Sequence, residues 1–338
     1  MDALDWPSAW QRALYEEGAG LYRRDAPGRH FATSVTGIPG AARELAGAVR
    51  ELALRCRAPQ IVDLACGDGE LAAELAGPGV PPVLAVDVRE RPAALPQDVG
   101  WCRTPGGADV SGLAPGLVPG ALVIAHEWLD VVPCPIWEID DAGSPRTVLV
   151  DPAGDERLGP GPGERGGPCP PDLDWCARWW PLDGLPPGAR VEVGRARDLA
   201  WEGLLAAVGD AGGGLCVAVD YGHERAHRPT YQTLRGHRRG RPTRAVPDGG
   251  RDLTADVSVD SLRQDRRLRQ RELLHELGMR ARPPDPAGAG LDPHGYAADL
   301  AAAGARGRLL DPRGLGGFWW VFARVPASRT PRPARAGR

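Results

Sequence analysis

The chain has 338 residues and a formal net charge of −3, and all of its 41 basic residues are arginine. The absence of lysine excludes a lysine general base or Schiff base, and the small net charge gives no electrostatic reason to expect nucleic acid as a partner. Seven scattered cysteines show neither zinc-ligand nor disulfide-framework spacing. No apolar run is long enough to cross a membrane and the N-terminus does not resemble a signal peptide, so we expect a cytoplasmic protein without a membrane partner.

The first half of the chain reads as helices followed by an α/β unit. Two predicted helices, over 6–15 and 41–57, make residues 1–57 an N-terminal helical cap. Residues 60–88 read as strand, glycine turn, helix and strand. A short strand is expected near 99–103, and a buried strand over 121–125 runs directly into a polar segment that ends at Pro133. An insertion is expected at about 134–185, with 151–171 as an exposed Gly/Pro-rich loop.

The second half continues the alternation of strands and helices. Predicted elements are a strand over 190–193, a helix over 196–208, a strand over 215–220, a loop or flap over 235–251, a helix over 261–277 and a strand over 317–323. The main α/β domain would span 58–325, and the Pro/Arg-rich tail 326–338 is expected to be disordered. The alternation predicts an α/β fold, with a mainly parallel, twisted sheet and helices on both faces.

The glycine turn is the most informative motif. A short apolar strand precedes Cys66-Gly67-Asp68-Gly69, an alanine- and leucine-rich helix follows it, and the next apolar strand ends in Asp87, eighteen residues after Gly69. Glycines at such a turn let the backbone approach a nucleotide, and the strand-end acid can hold two ribose hydroxyls. The pattern predicts a nucleotide site that includes Gly67, Gly69, Asp87 and the adjacent Val88.

The charge around this turn helps to choose the nucleotide. Gly67, Gly69 and Ala72 satisfy the dinucleotide fingerprint, so NAD stays an alternative. A pyrophosphate dianion would, however, meet Asp63 and Asp68 at short range, and like charges in a partly dry site are unfavourable. S-adenosylmethionine (SAM) carries a sulfonium and an ammonium instead, and Asp63 could receive the ammonium directly or through water. The turn therefore favours SAM.

Acidic side chains also follow the later strands. Glu127 and Asp130 come directly after the strand over 121–125, and Asp220 ends the strand over 215–220. Ligands of open α/β sheets bind beyond the carboxyl ends of the strands, so these acids should converge on one edge. Glu127 and Asp130 are the candidate catalytic residues: two carboxylates could hold an incoming nitrogen group and orient it.

With these motifs in place, the chain resembles class I SAM-dependent methyltransferases. More narrowly, it resembles the MidA-like group, which includes the mitochondrial complex I assembly factor 7. The segments that carry the resemblance, in family order, are 63–69 with Asp87, 125–133, 219–222, 233–238, 252–257 and 310–318. The resemblance implies a Rossmann-like class I methyltransferase fold, SAM as the methyl donor and a protein as the partner, with arginine as the methylated residue in the mitochondrial relative.

The chain also departs from the pattern of that group. His126 stands where the group usually has asparagine, Asp256 stands where it usually has histidine, and the segment between Val259 and Arg269 looks shortened. These changes affect the expected acceptor side more than the cofactor side. A binding or assembly factor that keeps a SAM pocket without efficient transfer is therefore an alternative to the enzyme.

Overall fold

A computed structural model of the protein describes residues 3–25 and 35–328. Part of the predicted N-terminal cap and most of the predicted disordered tail lie outside these ranges. The helices are α1 (Trp6–Tyr15), α2 (Leu21–Arg24), α3 (Ala41–Cys56), α4 (Glu70–Leu75), α5 (Pro170–Trp179), α6 (Arg195–Asp210), α7 (Gln270–Glu276), α8 (Gly288–Leu291) and α9 (Pro293–Leu310). The strands are β1 (Leu4–Asp5), β2 (Ile61–Leu64), β3 (Val83–Asp87), β4 (Gly100–Arg103), β5 (Ala121–His126), β6 (Ile136–Ile139), β7 (Pro145–Val150), β8 (Glu156–Leu158), β9 (Arg190–Glu192), β10 (Gly214–Asp220), β11 (Gly222–His223), β12 (Arg235–Arg238), β13 (Arg241–Thr243), β14 (Asp252–Thr254), β15 (Val257–Ser258), β16 (Arg266–Arg269) and β17 (Trp319–Val325).

The central sheet has seven strands in the order β16-β17-β10-β5-β2-β3-β4. The strands from β10 to β4 are parallel to one another, whereas β17 pairs antiparallel with both β10 and β16. The predicted mainly parallel sheet is therefore a mixed sheet, since β17 runs in the opposite direction to the other six strands. The parallel part brings the carboxyl ends of β2, β3, β5 and β10 to one edge, which is the edge that carries the predicted acids.

Apolar side chains on both faces of the central sheet are buried, as the strand sequences lead one to expect. Ile61, Leu122 and Val217 belong to a core with α3, α4, α7 and α9, whereas Val62 and Val123 belong to a core with α6. Helices therefore cover the two faces, because strands that alternate between two buried faces are apolar throughout. Among the helices of the described residues, none combines the length and apolar character that a bilayer crossing requires.

A second, smaller sheet follows the polar segment after β5. It has the order β1-β7-β6-β9, with β8 paired to the other side of β7. Trp137, Trp175 and Trp180 form a separate apolar cluster beneath it. The N-terminal helix α1 packs against this sheet and against β14 through Trp6, Trp10 and other buried residues. Residues 134–185 were predicted as an insertion, so β6, β7, β8 and α5 are findings of the structure, whereas β9 matches the strand predicted over 190–193.

One predicted element is wrong. The helix expected over 261–277 is confined to α7, and residues 266–269 instead form edge strand β16, with Leu268 opposite Trp320 in β17. The spacing of the leucines in this segment matched a helix, but pairing with a strand fifty residues further on decides the local structure. The structure also contains strands β12 and β13 in the predicted flap, and a long helix α9 that the sequence patterns did not indicate.

Candidate functional site

A cavity lies beyond the carboxyl ends of β2, β3 and β5, which is where open α/β sheets bind ligands. Its opposite wall comes from α1, α2 and β14. The residues that line it are Tyr15, Tyr22, Val35, Thr36, Leu64, Ala65, Cys66, Gly67, Asp68, Glu70, Asp87, Val88, Thr104, Gly106, Gly107, Asp109, Val110, His126, Glu127, Trp128, Asp130, Val131, Asp252 and Thr254. The cavity thus brings together five of the seven predicted site residues.

The two glycines of the turn have different roles in the structure. Both have positive φ, 62° at Gly67 and 81° at Gly69, a region that favours glycine. A Cβ at Gly67 would meet no atom closer than Glu70 Oε2 at 3.9 Å, so the space beside it is open. A Cβ at Gly69 would lie 2.6 Å from Leu95 Cδ1, in the protein interior. Gly67 therefore lines the cavity, whereas Gly69 is required by the packing of the turn.

Asp87 connects the end of β3 to the glycine turn. Its Oδ2 accepts a hydrogen bond from Gly67 N at 2.9 Å, and its Oδ1 accepts one from Arg89 N at 3.2 Å. The Arg89 guanidinium lies between Asp87 and Asp68, with Nη1 2.9 Å from Asp68 Oδ1. Burial raises the pKa of Asp87, and the positive charge of Arg89 opposes that rise. Arg89, which the sequence patterns did not single out, therefore favours the ionised form of the predicted ribose acid.

Asp63 lies beneath the turn and not on the cavity wall. Its side chain is buried, and burial raises its pKa to about 8 while a hydrogen bond from the backbone of Ala72 acts in the opposite direction. A direct contact between Asp63 and a bound ligand therefore has no support in the lining of the cavity. The position fits a residue that holds the helix start of α4 against the end of β2.

Glu127 and Asp130 lie on the same cavity as Gly67 and Asp87. Asp130 is 1% exposed, and its Oδ2 accepts a hydrogen bond from the Tyr221 hydroxyl at 2.5 Å. The neighbouring Asp220 is 2% exposed and accepts a hydrogen bond from Leu129 N at 3.1 Å. The sequence predicted this convergence of acids. It did not predict that the cofactor acids and the catalytic acids would share a single cavity.

Burial raises the pKa of both Asp130 and Asp220, and the negative charges of Asp130 and Glu127 raise that of Asp220 further. The fully buried guanidinium of Arg197 acts in the opposite direction on both aspartates. Its own hydrogen bonds go to backbone carbonyls, including that of Asp130 at 3.1 Å. The cluster can therefore hold a proton or a cationic group that comes from the cavity.

Two backbone outliers adjoin the cavity. Ala65 follows β2 with φ of 59°, and Glu127 follows β5 with φ of 51°, a region that side-chain-bearing residues rarely adopt. Glu127 N donates to Val219 O at 2.8 Å, so the chain stays paired with β10 at this point. Strained backbone that surrounding structure holds in place is concentrated at functional sites, which supports a functional role for Glu127.

His126 is not a suitable base at neutral pH. Burial lowers its pKa to about 4, so the ring is neutral and its Nδ1, 3.6 Å from Glu127 Oε1, does not form a charged pair. His223 receives a hydrogen bond from Arg228 and packs edge-on against Trp180, away from the cavity. His237 is buried in β12 and does not line the cavity either.

Several lining residues carried no recognisable signal in the sequence. The Tyr22 hydroxyl donates to Asp252 Oδ1 at 2.5 Å, and the Tyr15 hydroxyl donates to Val131 O at 3.2 Å. Burial raises the pKa of Asp252 to about 7. Trp128 also lines the cavity, and its indole N–H donates to the backbone carbonyl of Gly107 at 2.9 Å. The Asp252 segment was conspicuous only through the family resemblance.

The charge of the cavity wall is one-sided. Seven of its residues are acidic, namely Asp68, Glu70, Asp87, Asp109, Glu127, Asp130 and Asp252, and none of its described residues is an arginine. In a chain with 41 arginines this distribution is informative. A ligand with positive charge would be stabilised here, whereas a pyrophosphate would meet several carboxylates, and the guanidinium of Arg89 is already held by two of them, Asp68 and Asp87.

Comparison with known proteins relates the chain to two solved structures. No model of a known protein family matches it, and no curated protein matches it. One of the two structures is a COG1565 superfamily member from Burkholderia thailandensis, provisionally assigned as a methyl transferase and solved with S-adenosyl-homocysteine (SAH) bound. It is 23% identical to this chain and has a TM-score of 0.65, and the match covers 95% of this chain and 87% of that one. An uncharacterised COG1565 protein from the same organism is 20% identical, with a TM-score of 0.65, over 98% of this chain and 91% of that one. The chain therefore has the fold of these COG1565 structures.

Proposed function

We propose that the protein is a SAM-dependent methyltransferase of the MidA-like group. The observation that carries the proposal is the acidic cavity at the carboxyl ends of the parallel strands, whose described lining residues include seven acids and no arginine. A cofactor that brings a sulfonium and an ammonium suits such a wall, whereas a dinucleotide does not. The shared fold with a COG1565 protein that was crystallised with SAH supports the same assignment.

The residues present fit this cofactor. Asp87 offers a carboxylate at the end of β3 for two ribose hydroxyls, and Gly67 leaves open space beside the backbone. Val88 and Trp128 supply apolar surface on the same wall. When bound, SAM supplies a methyl group on a positively charged sulfur, which is already a good leaving group. The protein then has to orient the acceptor, exclude water and stabilise charge.

The same geometry suggests what the other acids do. Glu127 and Asp130 lie where a cationic nitrogen group of the acceptor would be held by two carboxylates. Transfer of a methyl cation to an N–H group releases one proton, and the buried pair of Asp130 and Asp220 can take it up. We therefore propose a protein nitrogen, with arginine as the first candidate, as the acceptor.

The test has two parts. Calorimetric titration of the purified protein with SAM, SAH and NAD should show binding of the first two ligands and not of the third. Incubation of the protein with a cell lysate and methyl-labelled SAM should then label a protein band. Binding of NAD with no binding of SAH would refute the proposal. Binding of SAH without any labelled product would replace the enzyme with a SAM-binding assembly factor.

A further inference from the structure

We propose that the acceptor is a protein segment in which a cationic side chain is flanked by acidic residues, and that this segment docks in a second groove beside the cavity. The outer groove, as we call it, is lined by residues including Tyr221, Asp256, Arg269, Arg271, Arg313 and Phe318. It lies where β10 and β16 meet the loop before β17. The inference rests on the proposed function, because it assigns the acceptor side of the same site.

Tyr221 separates the outer groove from the cavity. Its ring lines the groove, while its hydroxyl donates to Asp130, which lines the cavity. Phe318 packs edge-on against the ring at 5.4 Å between centroids, and the Arg235 guanidinium lies over the ring at 5.2 Å. A ligand in the groove therefore contacts the tyrosine whose hydroxyl donates to an acid of the cavity wall.

The two carboxylates of the groove are already engaged within the protein. Asp256 forms an ion pair with Arg235. Glu272 accepts a hydrogen bond from Arg269 N at 2.9 Å and so caps the start of α7. The charge of Asp256 is thus offset by Arg235, and Glu272 is left as the one acid of the groove's described lining without an ion pair.

Two of the arginines in the groove are not compensated. Arg269 stacks on Trp319 at 3.5 Å and donates to a backbone carbonyl. By contrast, Arg271 and Arg313 are exposed, and within the described residues neither guanidinium forms an ion pair or a side-chain hydrogen bond. The free charge of the groove is therefore positive, whereas the cavity behind Tyr221 is acidic.

The loop that carries Arg313 is built as a rigid turn. Asp311 Oδ1 accepts a hydrogen bond from Arg313 N, and Asp311 O accepts hydrogen bonds from Gly314 N and Gly316 N. A Cβ at Gly316 would lie 2.6 Å from the carbonyl carbon of Leu310, so the turn requires glycine there. A fixed turn holds Arg313 beside the groove at a low entropic cost of binding.

These observations together define a two-part recognition pattern. A ligand that extends from the groove into the cavity needs a cationic side chain that can bind Glu127 and Asp130. The residues that flank this side chain need negative charge, so that they can pair with Arg271 and Arg313. A polypeptide with an arginine between aspartate or glutamate residues meets both demands. A uniformly basic segment meets only the first.

The experiment uses fluorescent peptides and the full-length protein with saturating SAH. One peptide has a central arginine between aspartate and glutamate residues, a second has lysines in place of those acids, and a third has citrulline in place of the arginine. Binding is measured by fluorescence anisotropy with the wild type, with Arg271→Glu/Arg313→Glu, and with Arg157→Glu/Arg165→Glu as a control. The control pair is exposed, lies on the inserted segment and changes the net charge equally.

We expect the acidic peptide to bind at least tenfold more tightly than the basic or citrulline peptide. Charge reversal at Arg271 and Arg313 should lower the ratio of the two peptide affinities at least tenfold. The SAH affinity of this variant should stay within about twofold of wild type, and its melting temperature should match that of wild type. The control variant should keep the wild-type peptide affinities within about twofold. Equal binding of the acidic and basic peptides, an equal effect of the control pair, or tight binding of the citrulline peptide would overturn the inference. Failure of the wild type to bind SAH would instead refute the proposed function, whatever the peptides do.

Discussion

Asp87 offers the sharpest test of the cofactor site. Its carboxylate lines the cavity and already accepts hydrogen bonds from Gly67 N at 2.9 Å and from Arg89 N at 3.2 Å. The substitution Asp87→Asn keeps the shape and removes the charge. An amide can accept on only one of its two ends, so it cannot satisfy Gly67 and Arg89 together and still serve two ribose hydroxyls.

The expected loss follows from these contacts. Hydrogen bonds to an ionised carboxylate contribute about 1.5–3 kcal/mol, and Arg89 favours the ionised state against the effect of burial. If the ribose hydroxyls bind here, the loss of that charge should weaken SAH binding roughly ten- to hundredfold. Part of the loss arises from the turn itself, since Gly67 N is held by the same side chain.

The assay is calorimetric titration with SAH at neutral pH, accompanied by a thermal melt of each variant. Asp98→Asn is the matched control, because Asp98 is exposed, does not line the cavity and loses the same charge. A folded Asp87→Asn protein whose SAH affinity stays within twofold of wild type would refute the assignment of Asp87 to the ribose. A similar loss in both variants would show a general charge effect.

Three further predictions concern other parts of the cavity. Gly67→Val should abolish SAH binding because its side chain fills open cavity space. Gly69→Val should mainly lower the melting temperature, because its new Cβ would lie 2.6 Å from Leu95. Titrations and thermal melts that show the reverse would contradict this pair of predictions. Glu127→Gln should lower labelled methyl transfer roughly 10²-fold while SAH affinity stays within a few-fold, and a loss of SAH binding would place Glu127 in the cofactor pocket. Asp252 gains negative charge as the pH rises through about 7. The affinity for cationic SAM, relative to that for SAH, should therefore rise several-fold from about pH 6 to about pH 8. Calorimetry should show no such rise in Asp252→Asn.

The parts of the fold that local sequence determines were predictable. A buried strand, a glycine turn and an acid at the end of the next strand are encoded within thirty residues, and the structure places Gly67 and Asp87 2.9 Å apart. The edge strand β16 was not predictable in this way, because a polar four-residue segment becomes a strand only through its pairing with β17. Long-range pairing outweighed a leucine spacing that is typical of a helix.

The far wall of the cavity shows the same limit. Tyr22 contacts Asp252 across 230 positions of sequence, and neither residue lies in a pattern that points to a ligand. The predicted roles of Gly67 and Gly69 looked alike in the sequence, since both are turn glycines, yet only one lines the cavity. Which side of a turn faces a ligand depends on what packs behind it, here Leu95.

The charge of the site could not be read from composition either. All 41 basic residues are arginine, and they are spread over the chain, yet the described wall of the cavity contains none of them. Methyl transfer from SAM to a guanidinium would bring two cations within a few ångströms, and their repulsion is strong in a partly dry site. Acids on both sides, Asp87 near the turn and Glu127 with Asp130 beyond β5, would offset that repulsion. A single acidic cavity is therefore what the proposed chemistry would require, and the arrangement of the two sets of predicted acids is consistent with it.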